Sequence, residues 1–315
     1  MIISASRRTD IPAYYSEWFF NRIREGYVLV RNPVNFHQVG RISLSPDDVD
    51  GIVFWTKNPV PMMGRLDELE QYDYYFQFTL NAYGRDAEPG VPSKKDVLIP
   101  AFQELSRRIR RERVVWRYDP VFFSHRYTEE YHCRYFEALA ARLGDYTERC
   151  TVSFLDYYRN TAENMRSLGM KRQTAERQYE ILQKFSDVAK RYGFVIDTCA
   201  ETADFSRLGI RRARCIDLAR LKENRKYGLD AGKDPGQREA CGCAVSIDIG
   251  AYNTCGAGCL YCYANSSHDA AGKTMGTHNP ASPLLSGEIG GEDVIRDRKA
   301  VSYKECQLTI LTGED

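Results

Sequence analysis

Short, nearly continuous apolar runs rich in β-branched and aromatic residues punctuate the chain. They fall at 2–6 (IISAS), 51–56 (GIVFWT), 74–80 (YYFQFTL), 113–119 (RVVWRYD), 150–156 (CTVSFLD), 194–200 (FVIDTCA) and 244–250 (AVSIDIG). Runs of this length and character predict strands buried on both faces. Between them the apolar period lengthens. In 174–192, Ile181, Leu182, Phe185, Val188, Ala189 and Tyr192 recur at helical spacing, with Gly193 where a terminating glycine belongs. The 128–143 segment places Phe136, Leu139 and Leu143 on one side and stops at Gly144, and a helix from Ala13 to Glu25 ends at Gly26 in the same way. Strands alternating with helices predict an α/β fold with a helix-covered parallel sheet. About seven strands suit an open or closed (β/α) barrel better than a small doubly wound sheet. Residues 221–240 and 265–300 are richer in Gly, Lys, Asp, Pro and Ser and read as irregular connections.

Polar residues gather just after the strands: SRRTD (6–10), TKN (56–58), TLNAYG (79–84), RYDP (117–120) and LDYYR (155–159). The C-terminal ends of parallel strands open on one face, where ligands bind. Arg7, Arg8, Asp10, Asn81, Arg117 and Asp119 are therefore candidate ligand contacts, with an ordinary surface ion pair as the alternative for each.

The length of 315 residues and 43% apolar content allow a sizeable core. With 44 basic against 43 acidic residues, the charge carries no global signature of a nucleic-acid or membrane binder. The basic stretch SRRIRRER (106–113) reads as a solvated helix end. No apolar stretch is long enough to span a membrane and the N-terminus lacks a secretory h-region, so a cytoplasmic protein with reduced thiols is expected. Ten cysteines in that setting point to metal chemistry or core packing before disulfides.

Three of them form a compact loop. In TCGAGCLYCYAN, Cys255, Cys259 and Cys262 stand at CxxxCxxC spacing, and Gly256 and Gly258 let the backbone turn so that the sulfurs converge. A structural zinc site wants a fourth ligand, and a ferredoxin run has CxxCxxC with a further Cys-Pro. Three thiolates without a paired fourth suit a four-iron cluster that keeps one iron open.

On these residues the loop resembles that of the radical S-adenosylmethionine (SAM) enzymes, and IGAYNTCGAGCLYCYA is most similar to the spore photoproduct lyase branch. The whole chain, from ISASRRTDIPAYYSEW through IVFWTKNP to the cysteine loop, resembles an uncharacterised bacterial family, a domain of unknown function. Radical SAM enzymes carry this loop after the first barrel strand, whereas here it follows the last. The resemblance therefore implies a circularly permuted, partial TIM-like (β/α) barrel over 1–264, with AVSIDIG beside IISAS, and a C-terminal extension, 265–315, packed on it. It implies an oxygen-sensitive [4Fe-4S] cluster on Cys255, Cys259 and Cys262, and SAM cleaved reductively to a 5′-deoxyadenosyl radical. It also implies an electron donor such as flavodoxin or ferredoxin. The substrate class is open: a nucleobase or nucleotide by kinship, or a peptide or small molecule. Lys57, in TKN, corresponds to a lysine that reaches the SAM carboxylate. Tyr261 and Tyr263 flank Cys262, where one shields the cluster or stacks near adenine, or both simply pack.

A second cysteine set is Cys199, Cys215, Cys241 and Cys243. The i, i+2 spacing of Cys241 and Cys243 puts both sulfurs on one face of an extended segment. Together the four are candidates for a second, auxiliary [4Fe-4S] cluster, with zinc and inert burial as the alternatives. Cys306 is a substitute for one of the loop members, while Cys133 and Cys150 read as packing thiols. His125 and His132 carry no metal spacing, and His278 belongs to a tail that could close over the site. Two other function classes stay open: an iron–sulfur electron-transfer or sensing protein that never cleaves SAM, and a zinc-stabilised nucleic-acid-binding module.

Overall fold

Each of the seven apolar runs contains a strand, and all seven lie parallel in one sheet. The computed structural model describes residues 1–156, 161, 165–171, 173–222 and 228–304, so Cys306 and residues 157–159 of LDYYR fall outside the described residues. In chain order the strands are β1 (Ile2–Ala5), β2 (Tyr27–Arg31), β3 (Gln38–Ser43), β4 (Gly51–Thr56), β5 (Tyr74–Thr79), β6 (Val114–Val121), β7 (Arg149–Phe154), β8 (Val195–Thr198), β9 (Arg211–Arg212), β10 (Ile247–Asp248) and β11 (Val294–Asp297). The helices are α1 (Ile11–Tyr14), α2 (Ser16–Glu25), α3 (Val60–Met63), α4 (Ile99–Ile109), α5 (Glu129–Leu143), α6 (Ala175–Arg191), α7 (Leu218–Lys222) and α8 (His268–Gly276). The main sheet has eight strands in the order β10-β1-β4-β5-β6-β7-β8-β9, and β11-β3-β2 form a second sheet. Among the described residues no pairing joins β9 to β10, so the main sheet is open.

Strand residues alternate between two buried layers, as a period of two requires. Ile3, Ile52, Phe54, Phe76, Val114 and Trp116 face a layer shared with Phe19, Phe102, Phe136 and Phe185 of the helices. Within it Trp116, Phe136 and Phe185 stack in sequence, with ring centroids 4.9 Å and 3.9 Å apart. Ile2, Val53, Tyr75 and Val115 face the opposite layer, which is filled by Cys215, Ile216, Leu221, Leu229, Cys241, Cys243 and Ala244. Helices α1 to α6 thus cover one face, and a mostly irregular cysteine-bearing segment covers the other.

The last strand of the main sheet lies beside the first, as the sequence predicts, with Ile3 opposite Ile247 and Ser4 opposite Asp248. The strand expected over 244–250 shrinks to two residues: Ala244 and Val245 donate instead to the carbonyls of Ile216 and Gly232, and a side chain adds to the seam beyond Ile247. The Asp248 carboxylate accepts the hydroxyls of Ser4 (2.8 Å) and Ser6 (2.5 Å) and the N–H groups of Arg7 (2.8 Å) and Gly250 (3.0 Å).

Three sequence expectations change, and one element is new. The single helix Ala13–Glu25 is two, α1 and α2, broken at Tyr15, whose hydroxyl donates to the Thr254 carbonyl at 2.5 Å. Tertiary contact with the cysteine loop overrides the local pattern there. Gly26 and Gly193 adopt φ +74 as terminating glycines, but Gly144 stays right-handed, and a Cβ on it would meet the Tyr192 carbonyl oxygen at 2.7 Å. The hairpin β2–β3 is unanticipated, although the run VLV (28–30) signals it. Residues 265–300, expected to be irregular, contain α8 and β11, and Trp18, Asn21 and Arg22 of α2 donate to the carbonyls of Ser282, Pro280 and Ala281.

Replacing Asp248 with Ala removes a charged acceptor from four donors at the seam between β10 and β1. Such bonds are worth about 1.5–3 kcal/mol each when lost from buried positions and are not additive. Asp248→Ala is expected to destabilise the chain by about 3 kcal/mol, read as a drop in the urea midpoint at unchanged slope. A change under about 0.5 kcal/mol, the range of ordinary surface substitutions, would contradict this role.

Candidate functional site: a thiol-lined cavity at the strand ends

Parallel strands bring their C-terminal ends to one edge, and there the chain forms a cavity of about 550 Å³. Its wall takes Ser6 to Asp10 after β1, Thr56 and Lys57 at β4, Arg117 and Asp119 from β6, Cys199 after β8 and Asp248 from β10. The cysteine loop closes it: Cys255, Cys259, Tyr261, Cys262 and Tyr263 all line the cavity. So do Cys215, Cys241 and Cys243. The loop and the second cysteine set, separate in sequence, face one space.

Local contacts hold the loop. Asn265 donates to the Cys255 carbonyl at 2.7 Å, Asn253 N–H to Ala264 at 2.9 Å, and Leu260 N–H to Ala87 at 3.0 Å. Gly258 turns the chain at φ +65, and a Cβ there would lie 2.4 Å from His268 Cε1. Burial pushes the Cys259 thiol up to about 12 against the opposing pull of Lys57, and burial likewise raises Cys255 and Cys262. A metal cation takes the place of the proton on such neutral loop thiols when it binds. Among the described residues no three His, Cys, Asp or Glu side chains are grouped to hold a single metal ion. A cluster places each thiolate on its own iron, so its ligands need not crowd around one point. Three cavity-facing thiols on one loop fit that donor pattern.

Lys57 is held rather than free. Its Nζ donates to Glu88 Oε1 at 2.8 Å and to the Tyr261 hydroxyl at 3.0 Å, and Lys94 reaches Glu88 Oε2 at 2.7 Å. An ammonium has three donors, so one N–H of Lys57 remains for a ligand. Burial alone would raise the Glu88 carboxyl, but Lys57 and Lys94 outweigh it and hold it at about 2. The same carboxylate raises Lys57 against the lowering effect of burial. Sequence reasoning missed Glu88, which sits in a loop with no periodic or motif signal.

The remaining candidates divide. Asp10 caps α1 through Ala13 N–H at 3.0 Å and accepts Lys57 N–H at 2.7 Å. Burial lifts its carboxyl to about 6. Asn81 stands outside the cavity and clasps Asp119, donating to its carbonyl and accepting its N–H, both at 2.8 Å. Arg117 pairs with Asp119 and donates to Cys215 Sγ at 2.9 Å. The Arg7 guanidinium lies 5.0 Å from the Trp55 ring centroid, and its buried Nη2 has no hydrogen-bond partner among the described residues. Arg8 lies over Tyr252. His132 is a core histidine between the Tyr118 hydroxyl and the Phe122 carbonyl, and His278 packs on Tyr15 away from the cavity wall.

An open parallel sheet with a thiol-lined cavity at its strand ends defines an α/β protein with the geometry of a ligand-binding site. The chain belongs to the family described as Domain of unknown function (DUF1848), whose model matches residues 2–264. No curated protein and no solved structure matches it. No helix among the described residues is long and apolar enough to cross a membrane.

Glu88 gives a pH prediction. Its folded pKa lies below its ordinary value near 4.5, so its contribution is complete above that value and is lost as pH falls toward about 2. Glu88→Gln leaves two lysines facing a neutral amide and is expected to cost about 3 kcal/mol at pH 7. It should also flatten the loss of stability between pH 4.5 and 2 relative to wild type. Parallel acid-unfolding curves for the two proteins would refute the assignment.

Proposed function

We propose that the protein is a radical SAM enzyme of circularly permuted, partial (β/α)-barrel type. The observation that carries this reading is the placement of the CxxxCxxC loop. It leaves β10, the strand beside β1, and turns all three thiols into the cavity at the strand ends. Helices α1 to α6 on a single face of the sheet support the barrel reading, since a doubly wound sheet carries helices on both.

In this reading Cys255, Cys259 and Cys262 hold a [4Fe-4S] cluster, which when bound supplies the electron that cleaves SAM to methionine and a hydrogen-abstracting 5′-deoxyadenosyl radical. Lys57, fixed by Glu88 and Tyr261, directs its remaining N–H at the SAM carboxylate. Asp10 and Asp119 offer acceptors for ribose hydroxyls or the SAM amino group. Tyr261 backs Cys259 and keeps water from the wall. Flavodoxin or ferredoxin is the proposed donor class, and a nucleobase or nucleotide is the substrate class that the lyase resemblance favours. A cavity of about 550 Å³ falls within the roughly 300–1,000 Å³ of small-molecule sites, which an electron-transfer or sensing protein has no need to build. The near-neutral charge speaks against a nucleic-acid-binding module.

Anaerobically reconstituted protein, reduced with dithionite, is expected to convert SAM to 5′-deoxyadenosine, and the variant with Cys255, Cys259 and Cys262 all changed to Ala should make none. Wild-type protein that binds iron and sulfide but yields no 5′-deoxyadenosine would favour the electron-transfer reading. Unchanged product from the triple variant would overturn the ligand assignment.

A further inference from the structure

We propose that Cys199, Cys215, Cys241 and Cys243 form a thiolate metal centre of their own, on the same cavity as the cysteine loop and independent of it. They come from three segments: the turn after β8, the stretch after β9, and the approach to β10. The fold brings them to one place. Cys199 Sγ lies 3.2 Å from Cys215 Sγ. Cys241 and Cys243 line the same cavity, and both share a buried cluster with Cys215 against which Cys199 packs. Packing thiols look different: Cys150 lies alone within β7 and Cys133 alone on α5.

Two donors reach these sulfurs, and a cation lies near them. Arg117 Nη1 reaches Cys215 Sγ at 2.9 Å and the Ile216 N–H reaches Cys243 Sγ at 3.5 Å, while the Arg7 guanidinium interacts electrostatically with Cys243 and Cys215. N–H···S bonds and nearby cations are what metal-bound sulfur receives from its surroundings. A dication held by four thiolates leaves two excess negative charges. The Arg7 and Arg117 guanidiniums near the group offset part of this, Arg117 being shared with Asp119 and Arg7 lying near Asp248. The 3.2 Å contact is shorter than the roughly 3.8 Å between sulfurs around one tetrahedral ion with bonds of about 2.3 Å. The thiols therefore rest on each other when protonated and open by side-chain rotation when metal enters.

The fold also gives such a centre a task. Among the described residues, the layer on the second face of the sheet has the short α7 and isolated bridges at Leu229, Lys233 and Ala244 as its regular structure. Its core is small, and a metal held by residues from three segments would tie it to the ends of β8 and β10. As they stand the four thiols are not grouped around one point. A single zinc ion therefore needs their side chains to swing together, whereas a four-iron cluster takes each thiolate on its own iron. The shared chemistry is a thiophilic metal bound by four cysteines.

The test uses the full chain with Cys255, Cys259 and Cys262 changed to Ala, which separates this proposal from SAM chemistry. It is prepared once with zinc and once with iron and sulfide under anaerobic conditions. The expected result is about one zinc per chain in the zinc arm or about four irons with sulfide in the iron arm. The arm that fills identifies the metal. Adding Cys215→Ser and Cys243→Ser to this background should abolish the bound metal. Because multiple substitutions can unfold a chain, peptide-resolved alkylation of the wild type gives a second readout. Cys199, the partly exposed member of the set, should be shielded when metal is bound and react after chelation. A folded triple variant free of both metals would overturn the proposal. So would metal that survives the Cys215→Ser and Cys243→Ser changes, or alkylation of Cys199 that chelation leaves unchanged.

Discussion

The Asp248 carboxylate is the constraint on which the rest of the site depends. It fastens the short β10 to β1 by taking two serine hydroxyls and two backbone N–H groups that a two-residue strand cannot pair. Everything after it inherits that position. The cysteine loop begins four residues beyond Gly250 in sequence and is caught at once by Tyr15, whose hydroxyl takes the Thr254 carbonyl. The cost of that catch is visible in the break between α1 and α2. Strands from both ends of the chain therefore contribute to one row of strand ends, and the cavity lies along it.

The cavity is charged, yet most of its charges are already partnered. Lys57 and Lys94 share Glu88, Arg117 holds Asp119, and Arg238 holds Asp156. Fixed dipoles and ion pairs of this kind need little reorganisation when a ligand arrives, which is the physical basis of preorganised sites. Arg7 differs, since its guanidinium packs on Trp55, interacts electrostatically with the second cysteine set, and has one nitrogen without a partner among the described residues. Seven thiols face this space, and they divide by what lies beside them. Cys259 and Cys262 of the loop have Lys57 as neighbouring cation, whereas Cys199, Cys215 and Cys243 have Arg117 or Arg7.

Much of the sheet was legible because buried parallel strands leave continuous apolar runs. GIVFWT and YYFQFT became β4 and β5 almost residue for residue. The loop was legible from cysteine spacing alone, and Ser6 to Asp10, Thr56, Lys57, Thr79, Arg117 and Asp119 after the strands did mark the cavity wall, whereas Asn58 and Asn81 stand off it. What the sequence concealed depends on contacts between distant segments. Glu88 has no local signature, and its meaning comes only from Lys57 and Lys94. The break at Tyr15 is imposed by Thr254, more than two hundred residues away. Gly144 resembles a helix terminator in sequence, but its requirement is the close approach of Tyr192. The hairpin β2–β3 was overlooked because its half-exposed strands leave a weaker apolar signal than the buried ones.

The central claim is that the three loop thiols leave one iron open to SAM, with Lys57 beside it. Electron–nuclear double resonance on the reduced protein tests this directly, using SAM labelled with nitrogen-15 at the amino group and oxygen-17 at the carboxylate. The account predicts hyperfine coupling of both labels to the cluster in the wild type. A reduced cluster that shows neither coupling with SAM in excess would contradict it.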